Sequence, residues 1–238
     1  MTMTRIDSAL TRARGLSDGR TKSLRSNGVY DKLAALVAVT VAVGAFCYRA
    51  VGSNVAVGQV VVPSMVIAMG AMLVGQFRPQ HAKIAAPVYA VAEGVVLGVI
   101  SKAYSSYASG IVPTAIAATS LLFVGCLLVY RTGVVKVTPR FVQMTSVIGM
   151  MLFGMYVLAL FGLKVPGIAE IGPRGMIFGV IGLGVGLSYL FIDFDRIRKA
   201  EEAQMLSGTA EWFLAFQLLL SLVMVYINVL RILASRRR

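Results

Sequence analysis

Apolar residues fill seven long runs, at about 33–52, 58–77, 84–107, 111–131, 141–163, 175–195 and 210–233, and polar residues collect between them. Each run is close to the roughly 20 residues a helix needs to cross the ~30 Å hydrocarbon core of a bilayer. Backbone groups in hydrocarbon must be satisfied inside the segment, so runs of this length predict helices. The joins are short and carry turn formers or charge: VGSN, RPQHAK, SSYASG, TGVVKVTPR and KVPGIAEIGPRG. The longest join, DRIRKAEEAQMLSGTAE, is the most charged. The pattern predicts an all-α membrane protein, a bundle of seven transmembrane helices over residues 31–235. Residues 1–30 carry six Arg or Lys and two Asp with little apolar content, which predicts a mobile basic tail.

Composition agrees with the pattern. Apolar residues make up 58% of the chain and charged residues 14%, where a soluble domain carries about 25% charge. The positive-inside rule sets the orientation. With the tail inside, Arg78, Lys83, Arg131 to Arg140 and Arg196 to Lys199 share its side, while the outer joins hold Lys102, and Lys164 and Arg174 around Glu170. The N-terminus is therefore expected inside. Seven spans then leave the closing SRRR outside, against the rule, unless one run is re-entrant. Anionic lipid headgroups beside the first span account for the basic tail, so no nucleic acid is expected as a partner; the lipid bilayer is.

Soluble chemistry finds little support. Cys47 and Cys126 fall inside apolar runs and read as inert thiols. His81 stands alone, without the ligand neighbours that zinc requires. GLGVG at Gly182 to Gly186 lies within a span rather than after a strand, which is the wrong context for a dinucleotide loop. No Ser/His/Asp grouping or P-loop occurs, so neither a catalytic centre nor a cofactor is predicted.

What remains is polar chemistry inside the spans. Glu93, in YAVAEGVVLG, falls near the middle of the third. A charged side chain at such depth costs roughly 2.5–3.5 kcal/mol on insertion scales. It must therefore be protonated, paired, or set against a hydrated cavity. Ala90, Gly94 and Gly98 beside it form a close-packing face. In the sixth run, Gly175, Gly179, Gly182 and Gly186 fall within about 60° of one another at 100° per residue, and Asp193 returns to that face. Asp195 points nearly opposite and is expected at a wetter helix end. Asp193 is either an interior acid or simply a partner for Arg196 or Lys199. Gln217, Ser221 and Asn228 share one face of the seventh run, with Met224 among them, either bonding neighbouring helices or lining a path.

Four stretches, in order and on matching spans, resemble the Bax inhibitor family, specifically its bacterial YccA-like branch. They are APVYAVAEGVVLGVIS, YRTGVVKVTPRF, FIDFDRI and the closing INVLRIL, and the likeness runs from about residue 28 to 233. The resemblance implies a seven-helix bundle with its last helix near the centre, in a bacterial inner membrane. It also implies a pH-sensitive calcium leak, as in some members, or association with a membrane AAA protease, as in others. Asp193, followed four residues later by Ile197, matches the aspartate that ends the family's sixth helix. The family's gating pair needs a second aspartate in the last helix, and Ser221 stands there.

Two functions follow as expectations. The first is a passive cation leak, with Asp193 at the inner mouth and Glu93 deeper. Calcium takes six to eight oxygens, so the two carboxylates of Glu93 and Asp193 with Ser221, Asn228 or water would offer only a weak, transient site, as conduction requires; Asp195 is counted beside them as an ion-pathway or pH-sensing candidate. The second is a regulator of another membrane protein, acting through the tail and the charged 196–202 join.

Overall fold

The computed structural model describes residues 28–50, 57–106, 109–160, 162–163, 172–203 and 207–236. The basic tail through residue 27, and Lys164 and Glu170, lie outside the described residues. The elements are α1 (Gly28–Ala50), α2 (Val57–Phe77), a 3₁₀ turn (Pro79–His81), α3 (Ala82–Ser105), α4 (Ile111–Arg131), α5 (Pro139–Leu160), α6 (Pro173–Glu202) and α7 (Gly208–Arg236). All seven α-helices are long and apolar enough to cross a membrane, and no strand occurs among the described residues.

Several boundaries differ from those the hydrophobic runs predict. α1 is already helical at Gly28, ahead of residue 31, and Val29 within it is fully buried. Pro63 and Pro87 fall in the second turn of α2 and α3. The largest difference is in α6, which continues beyond residue 195 to Glu202 through the stretch expected to be a join. Its residues are good helix formers, and they pair along the helix. Arg196 meets Asp193 at 3.6 Å, Arg198 meets Asp195 at 3.2 Å and Glu202 at 3.7 Å, and Lys199 meets Asp195 at 2.5 Å.

α3 and α7 are the most buried spans. α7 packs against α3, α4 and α6, and its closest neighbour is α6. Glycine permits that approach. A Cβ at Gly182 would collide with the Asn228 carboxamide, and one at Gly186 would lie 3.0 Å from Val225 Cγ2. The glycine face read from the sixth run is thus the seat of α7. The corresponding face of α3 receives α1, where a Cβ at Gly98 would collide with the Gly44 carbonyl oxygen. In both cases small residues let backbones approach closely, as close packing within a bilayer requires.

Bonds between helices define two ends of the bundle. At one, Lys32 of α1 pairs with Glu211 of α7 and Gln76 of α2 bonds Gln217 of α7. The same end holds Asp193 and Asp195, and is called the Asp193 end. At the other, Ser101 of α3 meets Tyr226 of α7 and Tyr156 of α5 meets Arg231 of α7; this is the Arg231 end.

Candidate functional site: buried charges at two depths

Asp193 sits in the α6–α7 seam with 2% of its surface exposed. The Ser221 hydroxyl donates to its Oδ2 at 2.6 Å, and the mostly exposed Arg196 reaches Oδ1 at 3.6 Å. The glycine face of α6 brings α7 near enough for this bond. Ser221, the residue that the family resemblance sets at the second-acid position, thus meets Asp193 directly. A hydroxyl donates one proton to the carboxylate and shares none of its charge, so the seam holds one acid rather than two.

Asp195 is not the wet helix end that its position suggested. It is 5% exposed, because α6 continues and turns it toward α4. The Tyr130 hydroxyl donates to it at 3.1 Å, and Arg198 and Lys199 cap it from the next turn. Lys199 thus serves Asp195 rather than Asp193. The two aspartates, about 200° apart on the helix, have separate sets of partners: α7 for Asp193, α4 for Asp195.

Glu93 is 8% exposed and borders a cavity of about 120 Å³ between α2, α3 and α5. Met65, Met69 and Met72 line one wall, Tyr89, Phe153 and Tyr156 the others. Tyr89, one turn back along α3, lines the cavity beside the carboxylate. No residue of α6 or α7 borders this cavity, so Glu93 and Asp193 do not share a chamber.

The polar face of α7 resolves into packing bonds. Gln217 exchanges hydrogen bonds with Gln76 at 2.9 and 3.2 Å. Asn228 donates to the Met224 carbonyl at 2.8 Å and fills the notch over Gly182. No cluster of three or more His, Cys, Asp or Glu side chains occurs among the described residues.

Sequence reasoning missed Arg231. It lies within α7 at 4% exposure, donates from Nη1 to the Tyr156 hydroxyl at 3.0 Å, and stacks 5.6 Å from that ring's centre. Its Nε has no hydrogen-bond partner, and it forms no ion pair among the described residues. Asn228 Oδ1 and Ser235 Oγ, on the same side of α7, are also buried without partners. The signal was available: an ionisable residue inside a span is a functional candidate by the reasoning applied to Glu93. Tyr156 bonds Arg231 and also lines the Glu93 cavity.

A family model described as Bax inhibitor 1 like matches residues 7–238. A search of curated proteins finds no match.

Proposed function

The chain belongs to the Bax inhibitor 1 like family, and from that premise we propose that it is a passive cation leak, with calcium as the ion, in a bacterial inner membrane. In this reading the Asp193 end is the inner end. One observation carries it: Asp193 is buried in the α6–α7 seam against Ser221, at the position the family resemblance assigns to gating.

In this reading the described conformation is closed. Asp193 is covered by Arg196 and held by Ser221, so it offers no free oxygen to an ion. Glu93 stands apart from it, beside a cavity that does not reach the seam. Arg231 guards the other end. Two unit charges 4 Å apart at an effective dielectric of 20 interact by about 4 kcal/mol, and a divalent ion doubles the repulsion. Opening must therefore loosen the seam and move or neutralise Arg231. With Ser221 in place of a second acid, the proposal assigns this chain no proton-sharing pair, and its leak depends less on pH than one gated by two acids.

A second reading, a regulator of a membrane AAA protease with no flux of its own, draws on the charged surface at the Asp193 end. Arg78, Lys83, Arg140, Arg198 and Lys199 are exposed there, and α6 extends to Glu202. Calcium entry into liposomes separates the two. The leak reading expects entry with the wild type, and its loss in Glu93→Gln and Asp193→Asn. Folded wild type that passes no calcium sinks the leak and leaves the regulator.

A further inference from the structure

A second cavity has no part in that site. It is a groove of about 590 Å³ between α1 and α4, floored by α3 and α7. That volume is within the roughly 300–1,000 Å³ of sites that take small ligands. α1 lines it from Tyr30 to Tyr48, and at 1.5 Å per residue this spans about 27 Å, close to the ~30 Å hydrocarbon thickness. The lining is mostly aliphatic. α1 and α4 are both membrane spans with mostly unburied faces, so the gap between them opens on lipid. Water gains nothing in an apolar groove, and an empty one forfeits dispersion contacts along its length. Hydrocarbon is the filler its surroundings supply.

At the Arg231 end the groove runs into a polar cluster. Tyr48, Ser101 and Tyr226 border it. Ser101 and Tyr226 share a 2.8 Å hydrogen bond, and Lys102 Nζ lies 5.0 Å from the Tyr48 ring centre. Lys102 forms no ion pair among the described residues. A lysine at the end of a span, with hydroxyls beside it, suits a phosphate at headgroup level. Charge and apolar length thus point to one molecule.

We propose that the groove holds one membrane phospholipid, with an acyl chain along α1 and its phosphate at Lys102. This stands apart from the leak, since neither Asp193 nor Glu93 touches the groove. Thr119 provides an internal check. Its Oγ1 is buried in the groove wall without a hydrogen-bond partner. A hydrocarbon chain leaves that hydroxyl as it is, whereas a ligand with an embedded oxygen would bond it.

The test reconstitutes the full chain with palmitoyl-oleoyl phosphatidylglycerol, returns it to mild detergent, and counts retained lipid by native mass spectrometry. Wild type and Leu121→Phe, which alters an exposed α4 residue outside the groove, are expected to retain one lipid. Ala34→Phe combined with Ser120→Phe fills the groove from both walls and is expected to lose it. Lys102→Gln removes one charge-assisted contact, worth roughly tenfold in affinity. Thr119→Val is expected to retain lipid as wild type does. The proposal is overturned if folded wild type retains none, or if the filled variant retains as much as Leu121→Phe. It is equally overturned if Thr119→Val loses the lipid, since the occupant then carries an oxygen at mid-groove. Should the filled variant fail to fold, undiminished binding in Lys102→Gln would refute the phosphate assignment by itself.

Discussion

The two ends of the bundle treat buried charge in opposite ways. At the Asp193 end each buried aspartate has donors of its own: Ser221 and Arg196 for Asp193, and Tyr130, Arg198 and Lys199 for Asp195. At the Arg231 end a buried guanidinium has one tyrosine hydroxyl and an unpartnered Nε. Removing charge from water costs several kcal/mol per ion, and only good partners offset it. The first end is therefore built to hold its charges in place. The second carries one that the described fold does not neutralise, and such imbalance is characteristic of sites retained for something other than stability.

Four measurements break or sharpen this contrast. The largest effect is expected at Gly182, whose lack of a side chain admits Asn228 and so lets α7 approach α6. Gly182→Val overpacks the seam and should cost about 3 kcal/mol, read as a lowered melting temperature in detergent. Arg231→Met comes next, with the opposite sign. Replacing an uncompensated buried charge with an apolar side chain of similar length should stabilise by about 2 kcal/mol. Destabilisation there would mean that Arg231 has a strong partner after all, and the contrast between the ends would collapse.

Asp195→Asn should cost about 1 kcal/mol, because Tyr130 keeps an acceptor while the half-exposed Arg198 and Lys199 lose a screened one. A double-mutant cycle on Gln76 and Gln217, each changed to Leu, gives the smallest expected effect. Their reciprocal bond should show a coupling near 0.6 kcal/mol. A coupling near zero would mean that the amides find other partners once separated.

The positions of the seven helices were legible because the bilayer imposes one length on every span, and apolar content reports it directly. The glycine faces of α3 and α6 were legible for a related reason, since helical spacing alone brings Gly94 near Gly98 and Gly182 near Gly186. What covers each face was not, because partner choice is tertiary: α1 in one case, α7 in the other. The continuation of α6 was hidden because its residues are charged, and charge between apolar runs reads as a join. That one boundary made Asp195 look wet. Ser221 was singled out through the family resemblance, whereas its hydrogen bond to Asp193 is a tertiary contact that spacing along one helix does not reveal. Arg231 was visible in INVLRIL, but the stretch served there as a family marker, and its charge went unexamined.

Calcium entry into liposomes carrying wild type, Asp193→Asn or Arg231→Gln tests most directly the claim that the two buried charges act oppositely on one pathway. The account expects entry with wild type, none with Asp193→Asn, and faster entry with Arg231→Gln, by at least about tenfold given the repulsion at stake. If folded wild type is silent, or if both substitutions move the flux in the same direction, the two-ended pathway is wrong.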